Sequence, residues 1–129
     1  MAKPKLSFLR TGAGDQTPVL LIHGYTGDSQ SWRIVAPLLA GDRPVLSLDL
    51  PCHGTSPLIE PDSFDSFVET IAEAIEAEGL SAFHLVGHSL GGAVAFALSK
   101  RMAGNVKTLC AIAPAGLAPV YPWISSTGV

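Results

Sequence analysis

The chain has 129 residues, 47% hydrophobic and 15% charged, with 13 Gly, 10 Pro and a net charge of −3. That length suits one domain, 1–129, and suffices for a real core, and the composition excludes a disordered polypeptide. No block of Lys or Arg marks a nucleic-acid or anionic-membrane surface, and no run approaches the ~20 apolar residues of a membrane span.

No apolar segment follows the basic residues 1–5, so no signal peptide is expected, and the protein reads as soluble and cytoplasmic. Cys52 and Cys110 have no disulfide or metal-ligand spacing and are expected to be free thiols, with no metal or cofactor.

In chain order, short apolar runs alternate with helical stretches, the pattern of a parallel sheet with crossover helices. Leu6 to Arg10 is a first strand, and Gly12 to Asp15 a turn; its lone Gly-x-Gly, with no helix behind it, does not make a dinucleotide site. Val19 to Ile22 is a strand buried on both faces, ended by the loop His23-Gly24-Tyr25. Ser29 to Ala40 reads as helical, with Pro37 starting or kinking its second part.

Pro44 to Leu48 is another buried strand, closed by the loop Asp49 to Gly54. Asp62 to Glu78 is an amphipathic helix with the stripe Phe64, Phe67, Val68, Ile71 and Ile75, Asp62 as N-cap and Gly79 as its stop. Phe83 to Gly87 is a third central strand, Gly91 to Met102 a helix, and Val106 to Ile112 a fourth parallel strand. Right-handed crossovers make this a doubly wound sheet with helices on both faces. Pro114, Pro119 and Pro122 then break regular structure, so 114–129 reads as a tail or the start of a lid.

Gly87-His88-Ser89-Leu90-Gly91 places Gly-x-Ser-x-Gly between a strand and a helix, the context in which the motif presents a nucleophile. A sharp turn lifts the Ser89 hydroxyl clear of the sheet at the expense of backbone strain, and Gly87 and Gly91 let strand and helix pack closely. The helix that follows aims free N–H groups at developing negative charge. Leu90 N–H is one expected oxyanion donor, and Tyr25 N–H, in the loop opened by His23-Gly24, is the other.

His23 and Gly24 then support the site, His23 by shaping the loop through hydrogen bonds and Gly24 by permitting backbone approach. Asp49 is expected to brace its own turn, with His53 in a similar supporting place. His88 supports the elbow without being a base, because neighbouring side chains at such a turn diverge, and His84 is a packed or partly exposed sheet residue.

Taken together, His23-Gly24, the segment Asp49 to Gly54 and the segment Gly87 to Gly92 make the chain resemble the α/β-hydrolase superfamily. Val86 to Gly92 followed by Ala113 to Leu117 looks, more narrowly, like the hydrolase-type domain of acetoin dehydrogenase acyltransferase components. The resemblance implies an ester, thioester or amide as small-molecule acyl substrate and a Ser, Asp or Glu, His triad in that order. It also implies Gly at position 52, where this chain has Cys52.

All eleven acidic residues lie at or before Glu78 and all four histidines at or before His88, so nothing after Ser89 completes the triad. The leading expectation is the N-terminal part of a serine hydrolase or acyltransferase, truncated before the last strands, with acid and base beyond Val129. A second is a binding module in which the exposed edge strand 106–112 serves self-association or complementation. A third keeps the fold with other chemistry, a lyase or cofactor-free oxygenase.

Overall fold

The computed structural model describes residues 5–116. Its elements are β1 (Phe8–Thr11), β2 (Val19–Ile22), a 3₁₀ turn (Ser29–Trp32), α1 (Val35–Leu39), β3 (Val45–Leu48), α2 (Phe64–Ala77), β4 (Phe83–His88), α3 (Leu90–Arg101) and β5 (Val106–Ile112). The strands form one sheet in the order β1-β3-β2-β4-β5. The four strands β2 to β5 are parallel, whereas β1 lies antiparallel against β3, Phe8 opposite Leu48. Chain progression turns around at β2: β3 lies on one side of it and β4 on the other. Open α/β sheets form their binding crevice at the C-terminal edge beside such a reversal.

The sheet carries a core on each face. On one side α2 and α3 bury Leu20, Ile22, Leu46, Leu48, Phe83 and Leu85 together with Ile71, Ile75, Val94 and Leu98. On the other, the 3₁₀ turn and α1 cover Val19, Leu21 and Val45 with Trp32 and Ala36. The continuous apolar runs of β2 and β3 follow from this two-sided burial. No helix among the described residues is long and apolar enough to cross a membrane.

Three expectations change. The helical stretch 29–40 is divided as Pro37 led to expect, but its first part is a 3₁₀ turn and its second starts at Val35, which puts Pro37, lacking an N–H, in the first turn. The N-cap of α2 is Ser63, not Asp62: its hydroxyl accepts from Ser66 N–H, and the Ser66 hydroxyl accepts from Ser63 N–H in return. Phe64 stands out of the buried stripe at 45% exposure, stacked on Phe67 with ring centroids 6.4 Å apart. Gly79 ends α2 as expected, at φ +83°. Of the tail from 114, residues 117–129 lie outside the described residues.

Candidate active site

At the end of β4 the chain turns abruptly into α3, with Ser89 at the joint. Its φ of 54° and ψ of −117° lie where L-residues are strained, and such strain gathers at functional sites. The surroundings hold it there. Ser89 N–H donates to Ile112 O at 3.0 Å, and Ser89 O accepts from the N–H groups of Gly92, Ala93 and Ala115 at 2.9, 3.1 and 3.0 Å. Leu90, first residue of α3, has one of the N–H groups that a helix leaves without an internal partner.

Close packing explains the flanking glycines. A Cβ on Gly87 would lie 2.1 Å from Gly91 O, and one on Gly91 would lie 2.2 Å from Ile22 O. The starts of α3 and the ends of β2 and β4 are therefore in backbone contact. Gly92 faces Pro114 in the same way, at 2.7 Å. The hold that the end of β5 and the residues after it exert on Ser89 has no signal in the sequence, since it is made by backbone groups.

The loop after β2 comes against this turn. A Cβ on Gly24 would sit 3.1 Å from Ser89 Cβ and 3.2 Å from His88 Nδ1. Tyr25 follows, 74% exposed, with its ring edge-on to His53 at 5.9 Å. His23 is fully buried. Leu50 N–H donates to its Nε2 at 3.1 Å, which leaves the proton on Nδ1, and Nδ1–H donates to Gly24 O at 2.7 Å. Both nitrogens are thus committed to fixing the loop. Burial pushes the His23 imidazole below its ordinary 6.5, and the nearby His53 adds to the effect.

Replacing His23 by alanine is expected to cost about 1–3 kcal/mol, because Leu50 N–H loses its acceptor in a buried place. The folded state binds fewer protons here than the unfolded one, so this stability is complete above pH 6.5 and declines as pH falls below it. Urea unfolding at pH 7.5 and 5.5 checks this: the wild-type loss between the two should shrink in His23→Ala, and an unchanged loss would refute the assignment.

Asp49, at the end of β3, reaches further than its own turn. Its carboxylate accepts from Ser29 N–H at 2.7 Å, Thr55 N–H at 3.1 Å and the Thr55 hydroxyl at 3.0 Å. It so ties the loop 49–56 to the segment following β2, twenty residues earlier in the chain. Within that loop Cys52 adopts φ 68°, a left-handed conformation that suits glycine. Its Sγ lies 3.3 Å from both the N–H and the C=O of Ile59.

His53 Nδ1 lies 2.9 Å from Pro51 O, and His84 Nδ1 lies 2.7 Å from Thr108 Oγ1 on the neighbouring strand. His88 is exposed. Among the described residues no hydrogen bond joins the Ser89 hydroxyl to an imidazole, and no group of three or more His, Cys, Asp or Glu side chains could hold a metal ion. The structure therefore brings Ser89, Leu90, Gly24 and His88 together, sets the Tyr25 ring against His53, and leaves His84 apart on the sheet.

A parallel sheet with its reversal at β2 and a strained serine between β4 and α3 is the arrangement of one fold family. The family model described as alpha/beta hydrolase fold matches residues 17–127, and the chain belongs to that family. It is 36% identical over 113 residues to the dihydrolipoyllysine-residue acetyltransferase component of the acetoin cleaving system of Pseudomonas putida, covering 87% of this chain and 30% of that protein.

It is 40% identical over 74 residues to a 2-succinyl-6-hydroxy-2,4-cyclohexadiene-1-carboxylate synthase of Yersinia enterocolitica, covering 57% of this chain and 27% of the synthase. Among solved structures, a membrane phospholipase A described as a bacterial virulence factor superposes with TM-score 0.86 at 29% identity, over 96% of this chain and 42% of its own. The chain thus spans about 30% of the length of the curated relatives it matches.

Proposed function

We propose that this chain carries the nucleophile and oxyanion half of a serine-dependent hydrolase or acyltransferase site. Ser89 Oγ attacks an ester, thioester or amide carbonyl, and a C–O bond forms as the hydroxyl proton passes to a base. Leu90 N–H and Tyr25 N–H hold the resulting oxyanion. The leaving alcohol, thiol or amine departs protonated, and water or an acceptor then takes the acyl group from Ser89. Residues 90–129 contain no Asp, Glu or His, so in this reading acid and base come from polypeptide outside the sequence described.

The observation that carries the proposal is the strained Ser89 at the head of α3, with Gly24 against its Cβ. A residue this strained persists only where its surroundings over-determine it, and a glycine at that point lets backbone donors approach the serine.

Fluorophosphonate labelling read by intact mass tests it. The labelling is run at about pH 9.5, where hydroxide can take the Ser89 proton in place of the absent base, so slow labelling is expected even from this chain. One phosphonyl adduct should form on the wild type and none on Ser89→Ala; equal labelling of both, or of neither, would overturn the proposal. A second reading, an interaction module, draws on β5: it pairs only with β4 among the described strands, and Lys107, Thr108, Cys110 and Ile112 are exposed along it. Self-association without Ser89-dependent labelling is the result that would favour this alternative.

A further inference from the structure

The helices α2 and α3 follow the parallel strands β3 and β4, so both begin at the sheet edge where Ser89 stands. Between their first turns lies an open groove of about 350 Å³, lined by Pro61, Asp62, Ser63, Phe64, Phe67 and Leu90. Phe64 and Phe67 present stacked rings to it, inclined by 24°. A single exposed apolar side chain is ordinary, but two aromatic rings, a proline and a leucine sharing one concavity are the composition of a small-molecule site.

Leu90 joins this groove to the nucleophile, because its side chain lines the wall and it is the next residue after Ser89. The lining holds one carboxylate, Asp62, and neither Lys nor Arg, so it does not suit an anion. The reciprocal Ser63 and Ser66 hydrogen bonds also occupy two of the N–H groups at the start of α2.

We infer that this groove receives the uncharged apolar chain of the substrate, an unbranched alkyl or aryl acyl group whose carbonyl lies at Ser89. The inference rests on the reading of Ser89 as nucleophile and adds the substrate class to it. A short polar acyl group would leave both rings in water, whereas an alkyl chain of several carbons would cover them. Phe64 and Phe67 are then specificity-determining residues, apart from the backbone donors of the oxyanion.

The test is the rate of Ser89 labelling by methyl, butyl and octyl fluorophosphonates in wild type, Phe64→Ala and Phe67→Ala. Each methylene that enters the groove should raise the rate roughly two- to fourfold, so octyl should exceed methyl by about tenfold or more. In Phe64→Ala the octyl-to-methyl ratio should fall to within about threefold of unity, whatever the change in the absolute rates. Phe64 is exposed enough for this variant to fold, which keeps the test valid if Phe67→Ala does not. Equal wild-type rates for the three reagents, or a chain-length preference that survives Phe64→Ala, would overturn the groove and leave Ser89 standing. Labelling by none of them would overturn both together.

Discussion

Gly91→Ala is expected to lower the thermal midpoint by roughly 10 °C or more. The added Cβ would fall 2.2 Å from Ile22 O and 2.4 Å from His23 O. These are backbone atoms at the end of the central strand, with no side-chain rotamer to relieve the clash. Overpacking a core typically costs 1–3 kcal/mol when side chains give way; here α3 must move off the sheet, so about 3 kcal/mol or more is expected. For a domain of this size each kcal/mol shifts the midpoint by roughly 3–6 °C. A circular dichroism melt checks it against Gly104→Ala, where the new Cβ meets nothing within 4 Å. Similar midpoints for the two variants would show that the contact between β2 and α3 is not as tight as described.

Asp49→Ala should cost about 3 kcal/mol. It removes one carboxylate and leaves Ser29 N–H, Thr55 N–H and the Thr55 hydroxyl without their acceptor, and hydrogen bonds to charged groups are worth about 1.5–3 kcal/mol. The pH dependence follows from the same contacts. Burial alone would raise the Asp49 pKa, but the hydrogen bonds from Ser29 and Thr55 outweigh it and hold the carboxyl below its ordinary 3.8. The unfolded state therefore takes up the proton first, so the stabilisation is complete above about pH 4 and is lost as pH falls through the folded pKa. Urea unfolding between pH 3 and 7 should give Asp49→Asn a lower plateau and a shallower acid limb than wild type. Coincident acid limbs would mean that Asp49 does not contribute to acid unfolding.

The two predictions differ in how far they could be seen from residues alone. Gly91 is legible as part of Gly-x-Ser-x-Gly, because strand, turn and helix there are local and each announces itself by periodicity or by glycine. The partner of Gly91 is not legible: Ile22 O lies 69 residues away, and a carbonyl looks the same in any sequence. Asp49 reads as a turn residue, which Thr55 bears out; its bond to Ser29 depends on β2 and β3 lying side by side. The exposure of Phe64 was hidden for a related reason. A helical stripe shows which residues share a face but not where the neighbouring helix stops covering it.

By itself, then, the sequence determined the parallel strands β2 to β5, the amphipathic helix α2 and the strand–serine–helix turn, since burial on both faces, a 3.6-residue period and a glycine-flanked serine are properties of neighbouring residues. Only the tertiary structure decided that β1 runs antiparallel at the edge. It alone placed Gly24 against Ser89 and put Ile112 and Ala115 on the backbone of Ser89. Those outcomes rest on contacts between segments distant in the chain, made largely by backbone atoms, and it is those contacts that hold Ser89 in its strained conformation.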